Sequence, residues 1–239
     1  MRLETTLRPA PPYSLADSVE GRAGGTRRMR AGVLDLWDLA GGAPVRIRLA
    51  QGSDGAIAAW AAWEDAAVAP DAVHDRLRFL LALDVDHSPF LRRAREDPLL
   101  RELAHRHPGI RPLRLAGSAA HALLAAACGQ LVSWKDASRT HGAILRACTA
   151  ERRGLRLPPA QADLGALSPA RMRAAGLAAR RAAALVRVAR GPRGARAPAR
   201  ASRWSRPSRG SATSAHGRRP WSPSTGSGAT TTAWWATSA

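Results

Sequence analysis

The stretch from Gln130 to Arg139 holds the side chains best suited to bind a polyanion. Lys135, the one lysine of the chain, and Arg139 open a segment with helical periodicity, where both are placed to contact phosphate groups. A solvated helix face explains the two charges equally well. Gln130, just before them, carries an amide that can hydrogen-bond to the edges of nucleobases. These residue types predict that this stretch binds a polyanion.

Other reactive residue types show no spacing that suits catalysis or metal binding. The histidines at 105, 107, 121 and 141 lack metal-ligand spacing with cysteines or carboxylates, so no metal site is expected. Cys128 and Cys148 lie in apolar helical patterns, which favours buried structural thiols. Ser211, Ser214 and His216 have no nearby acid to orient a base, so no nucleophilic site is indicated.

The charge of the chain is large and unevenly distributed. The net charge is +19 over 239 residues, which favours polyanionic partners. After Asp163 there is no acidic residue, and after Val188 there is no Leu, Ile, Val, Met, Phe or Tyr. We therefore expect residues 191–239 to be disordered. No apolar leader or membrane-length run is visible, which predicts a cytoplasmic protein without a membrane partner.

Hydrophobic periodicity predicts an α+β fold. Within residues 1–85, the alternation of Val45, Ile47 and Leu49 with arginines indicates a strand. It follows Gly32–Leu39 across the loop Ala40–Pro44, which predicts a hairpin. Asp71–Leu83 is expected to form a helix, with Asp71 as its N-cap, that covers one face of the sheet.

Residues 86–190 are helical in pattern throughout and predict a compact bundle of short helices. Ser118, Ser133 and Ser168 are expected N-caps, and Pro169 stands at the favoured first helical position. The expected helices are Ser88–Glu96, Asp97–Arg106, Ser118–Cys128, Ser133–Cys148, Ser168–Ala175 and Ala178–Ala189.

Three stretches of the bundle resemble helix-hairpin-helix DNA glycosylases of the 3-methyladenine DNA glycosylase II (alkylpurine) family. They are Asp97–Pro112, Cys128–Ser133 and Leu167–Ala182, of which the turn Gly-Gln-Leu-Val-Ser is the most specific. Pro11-Pro12-Tyr13 also resembles the family's opening. The resemblance covers residues 8–190 and implies an N-terminal domain like the TATA-binding protein (1–85) and a helical glycosylase domain (86–190).

By this resemblance the chain comes from a base-excision lineage that acts on double-stranded DNA containing alkylated bases. Leu131 matches the wedge that holds open the space left by a flipped base, and Gln130 matches a base-pocket residue. Without the motif, Leu131 would be interpreted as a buried loop leucine. Ser133, Lys135 and Arg139 follow as candidate DNA contacts. No cofactor, metal or obligate protein partner is implied.

The resemblance stops before the parts that carry the family's chemistry. Its glycine-rich hairpin and catalytic aspartate should follow residue 190, where the chain has no acid, so no catalytic residue is assigned and the helical domain is expected to be incomplete.

A shifted reading frame explains this departure. In that frame Trp234-Trp235-Ala236 forces Val-Gly, and the following codons permit Asp-Leu-Gly, which resembles the segment around the catalytic aspartate. Ser211–Gly217 permits Gly-x-Leu-Gly-Pro-Trp, which resembles the hairpin and shows no lysine, as in a monofunctional glycosylase.

Two function classes remain open on these residues. The first is an alkylpurine DNA glycosylase lineage whose chain, frameshifted after about residue 190, is inactive as printed. The second is a non-catalytic nucleic-acid-binding protein with an Arg-rich disordered arm, in which the printed frame is authentic.

Overall fold

The N-terminal part of the computed structural model is one antiparallel sheet. The structure describes residues 1–19, 25–130 and 132–191. Five strands pair in the order β1-β5-β4-β3-β2, and every pair is antiparallel. Their bounds are β1 Arg2–Leu7, β2 Arg27–Arg30, β3 Val33–Ala40, β4 Ala43–Gln51 and β5 Ile57–Trp63. With the helices described below, the sheet confirms the predicted α+β class.

The predicted hairpin is formed by β3 and β4, with a shorter connection than expected. Ala40 pairs with Ala43, so only Gly41 and Gly42 lie in the turn. Both glycines have positive φ, +58° and +89°, the conformation that a tight two-residue hairpin turn requires. Pro44 is therefore a strand residue, paired with Leu39, and the predicted five-residue loop is wrong.

Helix α2, Pro70–Leu80, covers the sheet as predicted, but it ends three residues before the predicted Leu83. Its Val73, Leu77 and Leu80 are fully buried in one cluster with the inward side chains of β4. The predicted N-cap, Asp71, is wrong. Ala69 caps the helix and Pro70 occupies the first helical turn, where its missing N–H is not needed. Asp71 lies inside that turn, where its charge suits the helix dipole.

An ion pair joins the sheet to α2, and its arginine also contacts the backbone at Ala116. The Asp38 carboxylate of β3 accepts two hydrogen bonds from Arg76 of α2, at 2.8 and 2.9 Å. Arg76 Nη2 also donates to the carbonyl oxygen of Ala116 at 2.8 Å. Only 1% of the Asp38 side chain is exposed, so this contact is a buried junction.

The bundle of short helices is confirmed, together with its three predicted serine caps. The hydroxyl oxygens of Ser118, Ser133 and Ser168 each accept a hydrogen bond from the backbone N–H three residues later. The bounds are α1 Leu15–Ser18 near the N-terminus, then α3 Ser88–Glu96, α4 Arg101–Arg106, α5 Ala119–Gly129, α6 Trp134–Cys148, α7 Gln161–Ala166, α8 Pro169–Ala174 and α9 Ala179–Arg190.

Two features of the bundle differ from the prediction. Helix α4 begins at Arg101 rather than Asp97, because the Asp97 carboxylate accepts the N–H groups of Leu99 and Leu100 and holds a turn there. Helix α7 and the small hairpin of β6 (Glu151–Arg152) and β7 (Leu155–Arg156) were not predicted. Each is too short to give a periodic hydrophobic signal.

A second core lies among helices α5 to α9. It buries, among others, Leu124 of α5, Ile144 and Leu145 of α6, and Leu185 of α9. The described residues thus have two hydrophobic clusters, one under the sheet and one in the bundle. The division into domains at residue 85 and the disorder expected from residue 191 onward stay predictions, the second because residues 192–239 lie outside the described ones. In the part of the chain that the structure describes, no helix is long and apolar enough to cross a bilayer.

Candidate nucleic-acid interface

The link between α5 and α6 carries the predicted binding residues. Helix α5 ends at Gly129, and Gln130 follows in an extended conformation with its side chain in solvent. Ser133 caps α6, and Lys135 and Arg139 lie in its first two turns. The structure therefore brings four of the five predicted site residues, all but Leu131, into one exposed region. Leu131, the predicted wedge, lies outside the described residues.

Ser133 is engaged within its own helix. Its Oγ accepts from the Asp136 N–H at 3.2 Å and donates to Asp136 Oδ2 at 2.7 Å. This is a side-chain cap of the first turn, with the carboxylate placed at the positive end of the helix dipole. Ser133 thus shapes the turn, and its predicted DNA contact stays a prediction.

The two cations of α6 are in different electrostatic situations. Arg139 forms an ion pair with Asp136. The hydrogen bond from Ser133 and the Arg139 guanidinium together hold the pKa of Asp136 below its usual value. Lys135 is exposed and has no carboxylate within 4 Å among the described residues. Among the described residues, Lys135 is therefore a cation without an ion-pair partner, whereas Arg139 is paired with Asp136.

Helix α9 supports the C-terminal end of α5. Arg181 Nη1 donates to the carbonyl oxygen of Ala127 at 3.2 Å, one of the last four carbonyls of α5, which have no partner inside the helix. Burial raises the pKa of the neighbouring Cys128 thiol to about 12, so this cysteine is an inert core group. Helix α9 is thus hydrogen-bonded to the last turn of α5, the turn that precedes Gln130.

The turn between α8 and α9 approaches α6 closely at Gly176. A Cβ built on Gly176 would lie 2.8 Å from Thr140 Oγ1, and its φ is +104°. Only glycine combines that backbone angle with so near a neighbour. The turn therefore packs directly against α6 at Thr140.

Sequence reasoning missed one exposed side chain beside the turn. Trp134, the first residue of α6, has 49% of its surface exposed. A tryptophan directly after a predicted N-cap was the signal available.

No group of three metal-ligating side chains lies together in the residues that the structure describes. The expectation of no metal site rested on the spacing of the histidines in the sequence. Two of these histidines, His121 and His141, are buried and lie next to each other.

Comparison with solved structures places the fold among DNA glycosylases. A 3-methyladenine DNA glycosylase from Archaeoglobus fulgidus superposes with a TM-score of 0.63 at 20% identity, covering 77% of this chain and 66% of that one. The 8-oxoguanine glycosylase/lyase of Clostridium acetobutylicum, in its complex with double-stranded DNA, gives 0.57 at 15% identity, covering 80% and 64%. Its apo form gives 0.55 at 16% identity, covering 78% and 62%.

These similarities establish the fold and leave the family open. The chain spans about two thirds or less of the length of the glycosylases it matches. No family model matches the sequence, and no curated protein is similar to it.

Proposed function

We propose that this chain binds double-stranded DNA through the link between α5 and α6, on a scaffold inherited from a base-excision glycosylase. The observation that carries the proposal is the exposed Gln130 and the unpaired Lys135 on either side of that link, in a chain with a glycosylase fold. A net charge of +19 adds a long-range attraction to any polyanion. The wedge role of Leu131 and the base-pocket role of Gln130 belong to this proposal.

The parent activity that fits best is removal of alkylated purines of the 3-methyladenine type. This choice rests on the motif of residues 128–133 and on the higher TM-score of the 3-methyladenine enzyme, 0.63 against 0.57. The mechanism would extrude the damaged base and hydrolyse its N-glycosidic bond, with the developing positive charge offset by a carboxylate.

Six of the seven described carboxylates of residues 86–190 have hydrogen-bond or ion-pair partners within the protein, which supports an inactive chain. Asp86, Asp97 and Asp163 accept backbone N–H groups at helix starts. Glu102, Asp136 and Glu151 pair with arginines on their own element or hairpin, and Glu96 is exposed at the end of α3. Loss of an electrostatic stabiliser of this kind costs a factor on the order of a thousand in rate.

A shift of reading frame after about residue 190 accounts for the missing carboxylate within the same proposal. The nucleotide sequence across codons 185–215 tests it, since an open frame encoding the glycine-rich hairpin must continue there. The proposed location, the cytoplasm with the nucleoid, follows from DNA as the partner.

A base-release assay tests the function directly. The chain as printed is incubated with alkylated duplex DNA, and we expect no 3-methyladenine release above background, together with tight, salt-sensitive binding. Restored-frame protein should release the base and lose activity when Leu131→Ala removes the wedge. Lesion-specific release by the printed chain would contradict the proposed inactivity.

The second candidate, a non-catalytic nucleic-acid-binding protein with an Arg-rich arm, is favoured by the eight arginines of residues 191–239. This second candidate differs from the first in one expected outcome. No reading frame encoding the hairpin would exist downstream of residue 190, while DNA binding would be unchanged.

A further inference from the structure

Trp134 is an exposed aromatic side chain whose ring makes no aromatic or cation–π contact in the described part of the chain. Two other phenylalanine or tryptophan residues there are comparably exposed, Phe79 at 47% and Phe90 at 49%. The Phe79 ring is covered by the guanidinium of Arg114, 4.3 Å from its centroid, and Phe90 lies 4.8 Å from the His87 ring. Both therefore have a ring-face or ring-edge partner inside the protein, whereas the indole of Trp134 has none.

The position of Trp134 on α6 explains why its ring is open. Ala137 and His141, three and seven residues further on, are buried, so Trp134 continues the core-facing stripe of the helix. It stands in the first turn, where the described helices no longer cover that stripe. The indole is thus an apolar face at the edge of the bundle, next to the exposed link.

The surroundings of the indole suit a nucleobase better than a phosphate. The Asp136 carboxylate already compensates the N-terminal end of α6, which disfavours an anion there. Lys135 beside it is free to hold the backbone of the same nucleotide strand, and the Gln130 amide can reach base edges. A flat, neutral, aromatic ligand attached to a phosphate chain matches these three side chains, the indole, the lysine and the amide.

We propose that Trp134 is a stacking platform for an unstacked nucleobase at the α5–α6 link. The inference rests on the proposed function and assigns to that surface an aromatic contact that needs no particular base, since every base has a π-face. Its ligand class is a single-stranded or extruded nucleotide, in addition to the duplex backbone held by arginine and lysine.

The full chain is titrated with a fluorescein-labelled single-stranded oligonucleotide and with a duplex holding one mismatch, at several salt concentrations. Trp134→Ala should weaken binding to both by about tenfold, while Trp134→Phe keeps it within about threefold. The slope of log affinity against log salt should stay unchanged in both variants, because no phosphate contact is lost. Phe90→Ala, at the same exposure on α3, is the matched control and should bind like the unchanged chain.

A 2-aminopurine placed at the mismatch gives a second readout. Binding of the unchanged chain should quench the 2-aminopurine fluorescence, and binding of Trp134→Phe should quench it less strongly. With Trp134→Ala the fluorescence should stay high. Wild-type affinity and quenching in Trp134→Ala would overturn the inference while leaving the proposed function intact. A loss of affinity that parallels a lower thermal midpoint, in both Trp134 variants, would make the ring a core residue instead. Absence of salt-dependent binding by the unchanged chain would overturn the proposed function and this inference together.

Discussion

The imidazole rings of His121 and His141 stack with their centroids 5.2 Å apart and their planes inclined by 20°. One ring belongs to α5 and the other to α6, so the pair fastens the two helices that flank the exposed link. The Gly117 N–H donates to His121 Nδ1 at 3.2 Å, which requires that nitrogen to be unprotonated. Burial and a neighbouring positive charge lower the pKa of His121 to about 3 and that of His141 to about 4.

This pair predicts a loss of stability in mild acid. Both folded-state pKa values lie below the unfolded value of about 6.5, so the unfolded chain binds more protons as the pH falls below it. The contribution of the neutral histidine pair to the free energy of unfolding is fully present above about pH 6.5, and it falls as the pH is lowered toward 4. At pH 5 the penalty is about 2 kcal/mol per ring at most, since each pKa unit corresponds to about 1.4 kcal/mol.

Urea denaturation at pH 7 and pH 5 measures this effect. A His121→Gln, His141→Gln double variant should show a smaller difference between the two pH values than the unchanged chain, whereas His105→Gln, on the exposed surface of α4, should not. An equal pH dependence in the double variant would show that the buried pair does not control it.

The Asp38–Arg76 pair predicts a large cost when one partner is removed. Arg76→Ala leaves the Asp38 carboxylate buried without its two hydrogen bonds and frees the Ala116 carbonyl, so the free energy of unfolding should fall by about 3 kcal/mol or more. Arg8→Ala is the control, because its pair with Asp54 is exposed and worth less than about 1 kcal/mol. Chemical denaturation of both variants measures the two losses. Similar small losses in the free energy of unfolding would contradict a buried junction.

Lys135 and Arg139 should contribute unequally to DNA affinity. Lys135→Ala removes an unpaired cation and should reduce the salt slope of duplex binding by about 0.9, the value for one phosphate contact. Arg139→Ala should change the slope less, because Arg139 is already paired with Asp136. Fluorescence anisotropy from 50 to 200 mM salt measures both slopes. A larger effect of Arg139→Ala would mean that DNA displaces the ion pair.

The sequence predicted the local features of the fold well. Ser118, Ser133 and Ser168 were placed as caps because a hydroxyl before an apolar helical period has one strong local use. The β3–β4 hairpin followed from alternation. Its turn was misjudged because Pro44 suggested a loop, although an edge position or strand end tolerates proline and Gly41-Gly42 alone closes the turn.

Contacts between residues that are distant in the sequence could not be predicted from it. Nothing local in Ile57–Trp63, which is rich in alanine, shows that it lies between β1 and β4 and pairs with both. The approach of His121 to His141 and the burial of Asp38 depend on packing between elements. At the candidate site, the composition identified Lys135 and Arg139 as equals, and only the structure shows Asp136 neutralising one of them.

Amide hydrogen exchange with and without a short duplex tests the central claim, that the α5–α6 link is the DNA contact. We predict that binding slows exchange in residues 130–140, with little change in the strands β1 to β5. The unbound chain should show the C-terminal half of α6 already protected, since it packs on the second core. Slowed exchange confined to the sheet or to residues beyond 191, with 130–140 unaltered, would contradict the account.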